Sequence, residues 1–155
     1  MSVAFRRESD EEHKEPRFEL PLPAGPNLVT ARGLTQIEAE VAAREAAVQQ
    51  PLDDDSLAVA QRELRYWRTR LATAQLAPPP PADEAAFGSR VTFALNGQRK
   101  SVEIVGDDEA DPHSGLISFS APLARALIGA GVGDFADFAG KVDAIEILAV
   151  APRDA

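Results

Sequence analysis

A run of four prolines, Pro78–Pro81, constrains the fold more than any other feature of this chain. Proline lacks an amide hydrogen and has a fixed φ, so neither a helix nor a central strand continues through such a run. Upstream of the prolines, apolar residues recur at spacings of three and four, which indicates helix. Downstream they alternate with polar residues, which indicates strand. The sequence therefore predicts a helical part, a proline-rich linker over residues 78–87, and a separate part with a β-sheet.

The upstream part is predicted to form an antiparallel helical hairpin, a short coiled coil, over residues 27–77. Thr30 suits an N-cap, because its hydroxyl can accept a hydrogen bond from a free backbone amide of the following turn. Pro51 ends the first helix and leaves a short connection before the second. The apolar positions that would face one another are Leu34, Ile37, Val41 and Val48 in the first helix and Leu57, Ala60, Leu64, Trp67, Leu71 and Ala74 in the second.

The downstream part, residues 88–150, is predicted to be a small domain with an antiparallel sheet and one short helix. The segments SRVTFAL and KSVEIVG flank Asn96-Gly97, a strong hairpin signal because both residues tolerate positive φ. LISFS predicts a third strand, APLARALIGAG a short helix with Pro122 in its first turn, and VDAIEILAV a last strand. The predicted fold class is therefore α+β.

Composition excludes several classes of function. The formal net charge of −9 argues against holding duplex nucleic acid by phosphate neutralisation alone. The absence of cysteine excludes disulfides and thiolate metal sites. Residues 1–26 are charged and then punctuated by proline, which predicts a disordered tail without a signal-peptide core. No apolar run approaches the ~18 residues of a membrane helix, so we expect a cytoplasmic protein that does not associate with membranes.

Two stretches of the downstream part carry a family resemblance. VEIVGDDEAD, Val102 to Asp111, and LISFSAPLARALIGAGVGD, Leu116 to Asp134, closely resemble the C-terminal domain of the Gre family of bacterial transcript-cleavage factors. NLVTARGLTQIEAEV is similar to the start of that family's coiled coil, so the resemblance covers residues 27–150. It implies an FKBP-like fold for residues 88–150 and a monomer that docks on the secondary-channel rim of bacterial RNA polymerase. It also implies an accessory factor rather than an enzyme, because the polymerase itself cleaves backtracked RNA.

The resemblance gives the hairpin tip a role. Gre factors insert their coiled coil into the channel, where acidic residues at the tip help to hold the second magnesium ion of the polymerase active site. In this chain Leu52 and Asp54 fall on the family's leucine and glutamate, Asp55 falls on its asparagine, and Pro51 replaces its aspartate. Asp53, Asp54 and Asp55 are thus the tip carboxylates, and Asp54 is the candidate magnesium ligand. The resemblance implies no cofactor of the chain's own.

Alternatives stay open for these carboxylates. They could cap the second helix, or hold negative charge in the channel, rather than deliver a metal. The predicted arms are shorter than the family's by about a dozen and about eight residues, which at ~1.5 Å per residue leaves the tip roughly 12–20 Å short. In this the chain is similar to Rnk proteins, Gre-like proteins with a stunted coiled coil that bind polymerase without supporting cleavage. A competitor of Gre factors is therefore the alternative function.

The resemblance also marks two further groups of residues. Ala121, Pro122 and Arg125 fall in the docking motif, with Ala121 replacing the family's serine. Arg62, Arg65 and Arg68 match the family's basic patch and are candidates for contact with backtracked RNA. The alternative for these arginines is a solvated face paired with Glu63 and its neighbours.

A standalone FKBP-like prolyl isomerase is the remaining function class. Such an enzyme needs an apolar pocket lined by aromatic side chains. Residues 88–150 contain no Trp or Tyr and offer only Phe93, Phe119, Phe135 and Phe138. The sequence therefore favours a polymerase-binding elongation regulator, with or without stimulation of cleavage.

Overall fold

A computed structural model describes residues 19–153. Most of the predicted tail, residues 1–18, lies outside the described residues. Within the described part, residues 19–24 and 37–73 form one compact unit, and residues 25–36 and 74–153 form the other. The predicted linker, residues 78–87, belongs to the second unit. No helix of residues 19–153 is both long and apolar enough to cross a membrane.

Two long helices form where the sequence predicts them. Helix α1 spans Ala31–Ala47 and helix α2 spans Asp54–Thr73. The Thr30 hydroxyl accepts a hydrogen bond from the Gly33 amide at 2.9 Å, so the predicted N-cap is present. Helix α1 ends before Pro51, as the missing amide of that proline requires.

The apolar seam is the buried side of the helical unit. Ion pairs join Arg44 to Glu63 at 3.5 Å and Glu45 to Arg68 at 3.1 Å, so the two helices lie side by side. The side chains that are buried along the seam are Ile37, Val41, Ala60 and Leu64, and those that are half-buried are Val48, Leu57, Trp67 and Leu71.

The second unit contains a five-stranded sheet of β3 (Ser89–Leu95), β4 (Gln98–Val105), β5 (Leu116–Ser118), β6 (Phe135–Phe138) and β7 (Lys141–Pro152). The strand order is β5-β4-β3-β7-β6. Strands β3 and β4 form the predicted hairpin, with Asn96 and Gly97 at φ 50° and 86°. Helix α3, Pro122–Leu127, is the predicted short helix and begins at the predicted proline.

The structure corrects one detail of the predicted sheet. Strand β5 pairs with β4 in parallel, whereas the β3–β4, β3–β7 and β6–β7 pairs are antiparallel, so the sheet is mixed. The physical reason lies in the connection, because parallel neighbours cannot be joined by a tight turn. Residues 106–115 make the crossing, with a 3₁₀ turn at Pro112–Ser114.

Three short strands have no counterpart in the prediction. One is β6, at the edge of the sheet. The others are β1 (Leu28–Val29) and β2 (Gln75–Leu76), which pair in parallel as a separate two-stranded sheet. Strands of two to four residues are too short to show a clear alternation, so the sequence pattern did not reveal them.

The core of the second unit lies between the sheet and α3. Helix α3 contributes Ala124 and Leu127, both fully buried. Phe87 and Phe119 meet edge to face, with ring centroids 5.5 Å apart. The fully buried side chains of the sheet in this core are Val91, Phe93, Ile104, Ile145 and Ile147.

Candidate functional site

The three tip aspartates lie at the start of α2, and all three are exposed. Asp53 is the N-cap: its Oδ1 accepts a hydrogen bond from the Ser56 amide at 2.7 Å. This hydrogen bond holds the pKa of Asp53 below its usual value. Asp54 and Asp55 occupy the first turn, where carboxylates interact favourably with the helix dipole.

Capping therefore accounts for one of the three carboxylates, and the other two remain on an exposed turn. Among residues 19–153, no group of three or more acidic or histidine side chains is arranged to hold a metal ion. The role of Asp54 as a magnesium ligand stays a prediction, and it requires that another molecule supply the other ligands.

The arginines of α2 are paired with acidic side chains. Arg65 donates to Glu19 from Nε at 2.7 Å and from Nη2 at 2.5 Å. Arg68 pairs with Glu45 at 3.1 Å. The hydrogen bond from Arg65 lowers the pKa of Glu19, and the charge of Arg62 lowers it further. The partners of Arg65 and Arg68 thus come from residue 19 and from α1, not from Glu63 of α2 itself.

The predicted docking residues lie at and beside α3. Ala121 precedes the helix as its N-cap and makes no side-chain cap hydrogen bond. Pro122 occupies the first turn and Arg125 the last, and both side chains are exposed.

A small hydroxyl–carboxylate cluster holds the turn that leads into α3. Ser118 donates to Asp107 Oδ1 at 2.5 Å, and Ser120 donates to the same oxygen at 3.1 Å. The two hydroxyl oxygens are 2.9 Å apart. This cluster ties the loop after β4 to the turn after β5, so the Ser120 hydroxyl serves the local structure of the motif.

Glu109 of the motif makes buried contacts that sequence reasoning missed. Its Oε2 accepts from Arg153 Nη1 at 2.5 Å, and its Oε1 accepts from the Thr30 hydroxyl at 2.6 Å. Arg153 also donates from Nε to Glu103 at 2.7 Å. Burial lowers the pKa of Arg153, but the hydrogen bonds and charges of Glu109 and Glu103 outweigh it and leave that pKa raised. No sequence signal marked Arg153, because it lies beyond the last predicted strand.

Gly106 of the motif lies close against the backbone of Leu28. A Cβ on Gly106 would lie 2.4 Å from the Leu28 carbonyl oxygen, a distance that no side chain tolerates. A Cβ on Gly33 would lie 2.9 Å from Glu109 Oε1. Close backbone approach thus requires glycine at position 106. Gly106 and Glu109 together fasten residues 27–33 to the sheet unit.

The family match covers nearly half of the chain. Residues 80–152 match the family described as "Transcription elongation factor, GreA/GreB, C-term". This range contains the β3–β7 sheet, α3, the Asp107–Ser118–Ser120 cluster and Glu109.

Curated relatives point to the same family. A transcription elongation factor GreA from Lactococcus lactis subsp. cremoris is 51% identical over 57 residues, which is 36% of this chain and 36% of the relative. One from Sinorhizobium medicae is 48% identical over 68 residues, 41% of this chain and 43% of the relative. One from Verminephrobacter eiseniae is 37% identical over 91 residues, 54% and 58% of the two chains. The chain therefore matches only about a third to three fifths of the length of these relatives.

Solved structures with overall likeness include Gfh1 of Thermus thermophilus and GreA/GreB from Nitrosomonas europaea. The first has 20% sequence identity and a TM-score of 0.39, covering 81% of this chain and 99% of that one. The second has 18% identity and a TM-score of 0.40, covering 83% and 99%. Such scores carry no argument about the whole chain, so the likeness to the family rests on the sequence match of residues 80–152. Residues 80–152 are therefore similar to the C-terminal domain of the GreA/GreB transcription elongation factors.

Proposed function

We propose that this protein is an accessory factor that binds bacterial RNA polymerase at the rim of the secondary channel and regulates elongation as a monomer. One observation carries the proposal: residues 80–152 match the GreA/GreB C-terminal domain, and the curated relatives are named transcription elongation factors. In this proposal the chain has no catalytic residue and no cofactor of its own. Any cleavage of backtracked RNA belongs to the polymerase.

The docking surface is proposed to be the exposed side of α3. Pro122 and Arg125 are exposed there, and the Asp107–Ser118–Ser120 cluster fixes the turn before them. The exposed cation favours a partner surface that carries negative charge. Because the turn before it is rigid, little conformational entropy is lost on docking.

The action at the channel is proposed to be competition rather than stimulation of cleavage. Helices α1 and α2 have 17 and 20 residues, so at ~1.5 Å per residue they are about 25 and 30 Å long. Asp53 already caps α2, and Pro51 stands where the family has an aspartate. Magnesium needs carboxylate oxygens at about 2.0–2.1 Å, so an incomplete ligand set on short arms supports little catalysis. The comparisons give the isomerase alternative no support.

Binding is tested with the full chain and immobilised bacterial RNA polymerase core enzyme. We expect the wild type to bind, and Arg125→Glu to weaken binding at least tenfold. Arg99→Glu is the matched control, because Arg99 is also exposed but lies on β4. Absence of wild-type binding, or an equal loss in both variants, would refute the proposed docking.

Competition is tested on backtracked elongation complexes with and without an authentic GreA. We expect this protein alone to produce little cleavage and to reduce cleavage by GreA as its concentration rises. Robust cleavage by this protein alone, abolished when Asp53, Asp54 and Asp55 are all replaced by alanine, would show instead that it is an ordinary cleavage factor.

A further inference from the structure

Residues 19–24 belong to the helical unit and precede the sheet unit in the sequence. The carboxylate of Glu19 contacts the face of α2 that carries Arg62, Arg65 and Arg68. Glu19 receives two parallel hydrogen bonds from Arg65, at 2.7 and 2.5 Å. This forked geometry between a guanidinium and two oxygens is the one with which arginine also binds phosphate. Glu19 therefore stands where a phosphate oxygen pair would bind.

The groove around this contact has the composition of a site for single-stranded nucleic acid. Its cavity of about 420 Å³ is bordered by arginines of α2 and by a half-buried tyrosine, with the segment that follows Glu19 on the other side. Arginines that bind a phosphate backbone next to an aromatic ring that stacks on a base are the usual elements of such sites. The lining residues are Glu19, Leu20, Leu22, Arg62, Arg65, Tyr66, Arg68 and Thr69.

The covering segment is held lightly. The side chains of Arg65 and Glu19 are 55% and 53% exposed, and exposed ion pairs contribute little in water. Leu20 and Leu22 keep 40% and 51% of their surface exposed, so the segment buries little apolar area. Pro21 and Pro23 restrict the backbone of the segment, so little conformational entropy is lost on docking, and this offsets part of the weakness of the contact.

We propose that Glu19 is an intramolecular competitor that keeps single-stranded RNA off the Arg62–Arg65–Arg68 face until a phosphate displaces it. A single exposed carboxylate is a weak occupant, whereas an RNA strand brings several phosphates at once and gains from counterion release. The Glu19–Arg65 contact thus suppresses weak RNA binding but yields to an RNA strand that makes several phosphate contacts at once. The choice of RNA as the ligand rests on the proposed function.

The test measures binding of a fluorescent 12-nucleotide oligouridylate to the full chain without polymerase. Glu19→Gln removes the charge and keeps the shape. We expect it to raise affinity about two- to fivefold, the range set by the weakness of exposed ion pairs. We also expect the slope of log affinity against log salt to steepen by about 0.7, one phosphate contact for a single strand.

Two controls make the result specific. Glu146→Gln makes the same charge change at an exposed glutamate of β7 and should leave affinity unchanged. Glu19→Gln combined with Arg65→Gln should lose the gain. Equal binding by wild type and Glu19→Gln, an equal gain in Glu146→Gln, or a gain that survives loss of Arg65 would each overturn the proposal. Because the assay contains no polymerase, its failure is a separate result from failure of polymerase binding.

Discussion

Replacing Glu109 by alanine tests whether the motif glutamate is structural. The side chains of Glu109 and Arg153 are only 4% and 2% exposed, so their ion pair is buried. Without Glu109, Arg153 keeps only Glu103 as an acidic partner. The Thr30 hydroxyl also loses the acceptor of its hydrogen bond. Breaking a buried pair by deleting one partner costs about 3–5 kcal/mol, because the remaining charge stays desolvated. At an m-value of about 1–3 kcal/mol/M, the urea midpoint should fall by at least about 1 M.

The assay must report on the sheet unit. The only tryptophan and the only tyrosine of the chain lie on α2, so fluorescence reports on the helices. Amide NMR signals of β3 and β7, followed through a urea titration, report on the sheet. Glu109→Gln keeps the shape and should cost less, about 1.5–3 kcal/mol for hydrogen bonds to a charged group. Glu38→Ala, at an exposed position of α1, is the control and should stay within about 0.5 kcal/mol. If Glu109→Ala behaves like Glu38→Ala, the buried network has no structural role and our reasoning is wrong.

Three further predictions concern packing and capping. Gly106→Ala should destabilise the sheet unit by about 1–3 kcal/mol or more, since its Cβ would overlap the Leu28 carbonyl oxygen; unchanged β4 amide signals in urea would contradict this. Leu64→Ala should cost about 2–5 kcal/mol, because Leu64 is 6% exposed in the helical seam; a loss under ~1 kcal/mol by tryptophan fluorescence would mean that the seam is not packed. The lowered pKa of Asp53 means that its cap stabilises α2 at neutral pH and weakens as pH falls through that pKa. Asp53→Asn, which keeps an acceptor, should therefore lose less helicity between pH 5 and pH 2 than the wild type, and identical acid profiles by circular dichroism would refute the cap.

The sequence predicted the elements whose signals are local. Proline at positions 51 and 122 and the Asn96-Gly97 pair act on their own backbone, so the ends of α1, the start of α3 and the β3–β4 hairpin could be inferred. The parallel pairing of β5 and the β1–β2 pair depend on contacts between segments far apart in the chain, which no period encodes. Exposure of the tip aspartates follows from their position in a turn, but the pairing of Glu19 with Arg65 joins residues 46 positions apart and left no pattern.

The family match begins at residue 80, whereas the unit that the contacts define also contains residues 25–36. The reason lies in two motif residues. A Cβ on Gly106 would lie 2.4 Å from the Leu28 carbonyl oxygen, which excludes any side chain there, and Glu109 accepts a hydrogen bond from the Thr30 hydroxyl. Thr30 in turn accepts from Gly33 to cap α1, so the carboxylate of Glu109 fixes the residue from which the first helix starts. Part of the resemblance to Gre factors therefore encodes the attachment of residues 27–33, whereas the exposed side of α3 makes none of these contacts and is the docking surface that we propose.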